Sequence, residues 1–234
     1  EVIKTNVTGT QNVVDAVVSS KVDKAIFLST DKAVSPINLY GASKLAAEKL
    51  FIAANNFSTK KFSVVKYGNV FNSRGSVVPT FIDQKKNKNK LFLTNKEMTR
   101  FNISLEEGVN FVMMCINKMI GGETFIPIMD TIKIIDLVKI FNPKYGFVEI
   151  GIKPGEKIHE ELISISDNSI KINCKTYFII CPSTLFKNDK LIKKYQKINK
   201  EVLIKKNFSY NSSYPGRKLS ISQIKKLIEK NYTK

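Results

Sequence analysis

Tyr40-Gly-Ala-Ser-Lys44 sets a phenol and an ammonium one helical turn apart. Ser29-Thr30-Asp31-Lys32 brings hydroxyls, a carboxylate and a second amine close by in sequence. A Tyr and a Lys at i and i+4 share one helix face, so the lysine charge can lower the phenol's pKa. Such a pair takes a proton from an alcohol or sugar hydroxyl while hydride leaves the carbon that bears it. Y-x-x-x-K alone is common on solvated helices, and Asp31–Lys32 alone reads equally as a surface turn. The S-T-D-K-A run closing an apolar stretch gives the two motifs weight together.

Counting removes other chemistries. The 234 residues contain one histidine, His159, and three cysteines without a C-x-x-C pair, so no zinc site is expected. A Ser-His-Asp triad would have to use His159, and no G-x-S-x-G accompanies it. An odd number of unpaired cysteines fits reduced thiols and a cytoplasmic location. The net charge of +18 comes from 38 Lys and Arg against 20 Asp and Glu. It is lysine mixed with Asn and Ile, as in Lys85–Lys90, and no aromatic residues interleave with Arg as on a single-strand-binding face. We therefore expect a solvated basic surface and no nucleic-acid partner. No apolar run approaches the roughly 18–20 residues that span a bilayer, so no membrane span is expected.

The elements that must position the motifs are read from periodicity. Val7, Val13, Val14, Val17 and Val18 predict a helix over Asn6–Ser20. Lys24–Thr30 and Phe62–Tyr67 are short apolar runs that predict buried strands, with a helix over Tyr40–Asn55 between them. Further helices are expected at Val77–Gln84, Leu105–Lys118, Ile134–Phe141 and Ile221–Ile228. Further strands are expected at Leu91–Leu93, Thr124–Ile128 and Tyr177–Cys181. This alternation predicts an α/β chain: the carboxyl-terminal part of a Rossmann-type doubly wound parallel sheet plus a smaller α+β substrate-binding domain. The expected division is residues 1–75 for the Rossmann part and 76–234 mainly for the substrate-binding part, with 124–141 able to return to the Rossmann sheet. Ligands of such sheets sit at the carboxyl ends of strands, which is where Thr30–Lys32 and Gly68–Asn69 fall.

Several runs together carry a family resemblance: T-N-V-x-G-T-x-N-V, S-T-D-K-A-x-x-P-I-N-L-Y-G-A-S-K, F-S-V-V-K-Y-G-N-V, S-R-G-S-V-V-P, M-T-R-F and I-K-P-G-E-K-I-H-E. The chain resembles the extended short-chain dehydrogenase/reductases, and among them the UDP-N-acetylglucosamine 4,6-dehydratases that invert C5 and begin pseudaminic acid synthesis. The first ~100 residues of that family, which carry the glycine-rich turn for the cofactor pyrophosphate, have no counterpart here. The chain is thus expected to be a fragment of a longer protein.

The resemblance implies an NADP or NAD cofactor, with NADP favoured, a UDP-sugar substrate and a homo-oligomer. It also assigns roles. Tyr40 is the base for the sugar 4-hydroxyl, and Lys44 lowers its pKa and holds the nicotinamide ribose. Lys32 is the C5 base, Asp31 the acid for the departing 6-hydroxyl, and Thr30 a hydrogen-bonding partner of the reacting oxygen. Val70 lines the nicotinamide, and Asn69 contacts the sugar nucleotide. Arg74, Arg100 and Lys153 are the implied diphosphate and uridine contacts, with Glu156 either steadying that loop or touching the ribose. Lys153 stands where the family usually has Arg, which replaces a bidentate fork by a point charge. His159 is taken as structural. A C4 epimerase, a dehydratase of another nucleotide sugar and a non-catalytic fragment are the alternatives.

Overall fold

The computed structural model describes residues 1–73, 75–86, 90–142, 146–167, 169–181, 202–204, 207–214 and 216–232. A π-helical turn, Lys4–Thr8, runs into α1 (Gly9–Ser19), followed by β1 (Lys24–Thr30), α2 (Leu39–Ala53) and β2 (Lys61–Tyr67). Then come β3 (Asn69–Val70), α3 (Val77–Lys86), β4 (Leu91–Leu93), β5 (Thr99–Ile103) and α4 (Leu105–Lys118). Next are β6 (Thr124–Pro127), β7 (Asp130–Lys133), α5 (Ile134–Phe141), β8 (Phe147–Glu149) and β9 (Glu161–Ile163). The chain ends with β10 (Ile170–Asn173), β11 (Tyr177–Cys181), β12 (Val202–Leu203), β13 (Tyr210–Asn211) and α6 (Ile221–Tyr232).

The described chain forms two compact units. The first comprises Glu1–Tyr67, Glu106–Ile128 and Glu161–Tyr210; the second comprises Gly68–Leu105, Met129–Glu160 and Asn211–Lys234. The chain passes back and forth between them, and β6 (Thr124–Pro127) pairs in the first unit's sheet. The cause lies in the first unit's sheet, whose order is β1-β2-β6-β11-β10-β12. Only two of its strands precede residue 68. The sheet is also not purely parallel. β1, β2 and β6 are parallel, whereas β11, β10 and β12 are added antiparallel.

Side-chain alternation along β2 assigns the helices to faces. Phe62 packs with Val14 of α1 and Phe51 of α2, its ring edge-on to Phe51 at 5.1 Å. Val65, which points the other way, packs with Cys115 and Met119 of the α4 region and with Phe125. Helices therefore cover both faces, and the in-register pairing of β1 with β2 sets Thr30 beside Tyr67 at the carboxyl edge. The second unit is α+β: α3, α5 and α6 enclose a core of Phe81, Leu91, Leu137 and Ile224, next to the three-stranded sheet β3-β5-β7. Among the described residues no helix is long and apolar enough to cross a membrane.

Candidate active site

The end of β1 turns sharply because Thr30 caps the residues after it. Its hydroxyl oxygen accepts from the Lys32 amide at 3.4 Å and opens a single 3-10 turn, Asp31–Ala33; Thr is favoured there because its short side chain satisfies an otherwise orphan amide. The same hydroxyl donates to Asp31 Oδ1 at 2.9 Å. Asp31 is fully buried, and Oδ1 also lies 3.0 Å from the Lys32 ammonium. Its second oxygen, Oδ2, is buried with no hydrogen-bond partner. The Lys32 side chain is 35% exposed.

Two residues bring the Tyr40 helix onto this turn. Asn38 Oδ1 accepts from the Gly41 amide at 2.8 Å, which starts α2 so that Tyr40 sits in its first turn. Gly41 lies against the Lys32 peptide so closely that a Cβ there would come within 2.2 Å of the Lys32 carbonyl oxygen. No residue with a side chain fits that approach. The Asp31–Ala33 turn and the start of α2 thus lie against each other through backbone, and Tyr40 is 45% exposed.

Lys44 is held from below. Its ammonium donates to the Leu28 carbonyl of β1 at 2.8 Å and stands 4.2 Å over the Phe27 ring centroid. Burial lowers its pKa from the ordinary lysine value, and the charge of Glu48 opposes that shift. Glu48 is itself buried: Oε2 accepts from the Ser29 hydroxyl at 2.8 Å and Oε1 meets the Lys66 ammonium at 3.0 Å. Sequence reasoning missed this residue. The available signal was its position, since Tyr40, Lys44 and Glu48 recur at intervals of four on one helix face.

In the second unit, Asn69 and Val70 form β3 beside Asn102 and Ile103 of β5. Asn69, Val70 and Arg100 come together around a small cavity of about 40 Å³. Asn69 Oδ1 is buried without a partner. Arg100 donates to the Thr99 and Ile158 carbonyls at 2.7 and 3.1 Å, with its Nε 3.7 Å from Glu160 Oε1. Much of its guanidinium is therefore engaged in holding the backbone. Lys153 is exposed at the start of a tight turn closed by the Glu156 amide on the Lys153 carbonyl at 3.1 Å, with Gly155 at φ +83°. Glu156 Oε2 is buried and unpartnered. His159 Nδ1 is 2.8 Å from the Thr99 hydroxyl, which is 2.6 Å from that of Ser212. Burial first, then Arg100, holds the imidazole below its ordinary pKa. Arg74 lies outside the described residues. No group of three or more potential metal ligands occurs among the described residues.

A family model described as "Polysaccharide biosynthesis protein" matches residues 1–182. A UDP-N-acetylglucosamine 4,6-dehydratase (inverting) of Campylobacter jejuni is 47% identical over 219 residues, covering 91% of this chain and 65% of the relative. A UDP-glucose 4-epimerase of Rickettsia rickettsii is 41% identical over 187 residues, covering 77% of this chain and 55% of that protein. The crystal structure of Pen from Bacillus thuringiensis superposes with a TM-score of 0.81 at 32% identity, over 98% of this chain and 69% of that one. The chain thus spans 65% and 55% of the lengths of these two curated relatives.

Proposed function

Since this chain belongs to the polysaccharide biosynthesis protein family, we propose that the whole protein is a cytoplasmic nucleotide-sugar 4,6-dehydratase. It converts UDP-N-acetylglucosamine to a 4-keto-6-deoxy sugar with C5 inverted, uses NADP in preference to NAD, and works as a homo-oligomer. The observation that carries this reading is the Asp31–Lys32 pair: a buried carboxylate with one oxygen unpartnered, joined at 3.0 Å to an accessible amine.

The residues at this edge fit a nicotinamide cofactor, because an exposed phenol stands one helical turn from an ammonium anchored to the strand below. When bound, that cofactor supplies a reversible hydride acceptor. Tyr40 removes the proton of the sugar 4-hydroxyl, and Lys44 holds positive charge near the phenolate that forms. The 4-ketone makes the C5 hydrogen acidic. Lys32 and Asp31 then act as one device. Moving a single proton from Lys32 Nζ to the carboxylate turns the ion pair into a neutral amine and a carboxylic acid. The amine takes the C5 proton, the acid gives its proton to the departing 6-hydroxyl, and water leaves, giving a 4-keto-5,6-alkene. Return to C6 of the hydride withdrawn from C4, with a proton from water added at C5 on the face opposite Lys32, completes the 4-keto-6-deoxy product with C5 inverted. The Thr30 hydroxyl on Asp31 Oδ1 fixes the carboxyl plane throughout. Asn69, Arg74, Arg100, Lys153 and Glu156 serve the UDP moiety in this reading, and Val70 lines the nicotinamide.

The test is incubation of the full-length protein with UDP-N-acetylglucosamine and analysis of the sugar by NMR. A 4-keto-6-deoxy product supports the reading; a C4 epimer with the 6-hydroxyl retained rejects it. Epimerisation is the second reading, favoured by the Rickettsia relative's name. It needs no C5 base and no acid at O6, and so leaves Asp31 and Lys32 without a task.

A further inference from the structure

The face of α2 that carries Tyr40 and Lys44 continues one turn further to a carboxylate placed unlike any ordinary helix-surface glutamate. Glu48 is 3% exposed, and both of its oxygens are committed. Oε2 takes the hydroxyl hydrogen of Ser29, and Oε1 takes the ammonium of Lys66 from β2, itself 5% exposed. Ser29 directly follows Leu28, whose carbonyl accepts from Lys44. Two consecutive residues of β1 are therefore tied to two consecutive turns of α2, Leu28 by Lys44 and Ser29 by Glu48.

We propose that Glu48 is a positioning residue for the Tyr40–Lys44 pair: it locks the Leu28–Ser29 segment against α2 and sets a fixed negative charge one turn behind the Lys44 ammonium. This rests on the reading of Tyr40 and Lys44 given above, and extends it to a residue that touches neither sugar nor cofactor. The geometry is rigid because a buried carboxylate with two charge-assisted or hydroxyl partners has no low-cost alternative arrangement. The charge of Glu48 acts on Lys44 against the effect of burial. Among the described residues, Lys44 meets the Leu28 carbonyl and the Phe27 ring of β1, both uncharged, and feels the charge of Glu48 on its own helix. Glu48 is in turn engaged by the Ser29 hydroxyl and by Lys66 of β2, while Asp31 and Lys32 on the turn after β1 form an ion pair with each other. Glu48 is the carboxylate that favours the charged form of Lys44.

Replacing Glu48 alone leaves Lys66 buried without its partner, which threatens folding. The informative set is therefore Glu48→Gln/Lys66→Met, which removes both charges while keeping an acceptor for Ser29, together with Glu48→Asp and Ser29→Ala, all in the full-length protein. Lysine side chains labelled with ¹³C and ¹⁵N are followed by NMR titration, with the Lys44 signal assigned by its loss in Lys44→Arg. We expect Lys44 to titrate at lower pH in the double variant than in the wild type. The alkaline limb of the rate profile should move the same way, and kcat should fall by roughly tenfold or more with KM changed by less than about twofold. Glu48→Asp should recover part of the loss. A folded double variant whose Lys44 titrates as in the wild type overturns the proposal, whatever the substrate proves to be. A wild-type protein that makes no 4-keto-6-deoxy product overturns the dehydratase reading instead, and the titration still decides the role of Glu48.

Discussion

Two lysine–carboxylate pairs in this molecule share one distance and a buried carboxylate, and differ in everything around them. Lys32–Asp31 and Lys66–Glu48 both measure 3.0 Å. In the second pair both side chains are buried, at 6% and 4% exposure, and both oxygens of the carboxylate are used. In the first pair the carboxylate is equally buried, yet its lysine reaches solvent and one oxygen has no partner. A closed pair in low dielectric resists proton exchange and holds elements together. An open one presents an unpartnered carboxylate oxygen beside a lysine that solvent reaches. The contact distance alone says nothing about which kind a pair is; the remaining lone pairs and the exposure do.

The largest effect should come from breaking the open pair. Lys32→Ala should cut water loss by about 10³-fold; it also takes the cation from buried Asp31, at a smaller cost in stability than in the closed pair because water reaches the space left by a lysine that is 35% exposed. Hydride exchange at C4 should survive, seen as transient absorbance of reduced cofactor. Tyr40→Phe should suppress both steps, and equal mild losses from the two variants would break the assignment. Breaking the closed pair reverses the pattern. Lys66→Ala strands a buried carboxylate and should cost about 3–5 kcal/mol of stability in a denaturant titration, more than Lys32→Ala costs. A smaller effect is expected where the turn meets the helix. Gly41→Ala forces a Cβ against the Lys32 carbonyl oxygen and should cost about 1–3 kcal/mol, with kcat lowered more than KM because Tyr40 and Lys32 are pushed apart. The smallest effect lies outside both pairs. His159 has its pKa depressed on folding, so the unfolded chain takes up the proton first as the pH falls. Stability from this group is complete above its unfolded value of about 6.5 and is lost as the pH drops through the folded one. His159→Gln should flatten the dependence of the melting temperature on pH across that window.

The strand and helix that carry the candidate residues were legible because they are local. A strand ending in S-T-D-K and a helix opening on N-L-Y-G-A-S-K are each set by short-range rules of burial, capping and period, and α2 and β1 fall within one or two residues of the reading. Gly41 shows where local rules stop, since nothing in its neighbourhood announces that Lys32 needs the space. Glu48 was overlooked for a related reason: a glutamate in an alanine-rich helix reads as solvated until β2 supplies a lysine opposite it. The order and mixed direction of the six-stranded sheet depend on pairings between strands about fifty to sixty residues apart, and such pairings leave no mark on periodicity. Arg100 reads as a cation for phosphate, and the fold adds a second task that no local pattern announces: one of its terminal nitrogens holds the Thr99 and Ile158 carbonyls.

The interleaved path of the chain has a practical corollary for protein engineering. One cut placed anywhere from Gly68 to Glu160 would leave strands of the six-stranded sheet on both products. Chimaeras with relatives therefore have to exchange Gly68–Leu105, Met129–Glu160 and the final segment as a matched set, because trading one of them alone would graft a foreign edge onto a neighbour that evolved with another.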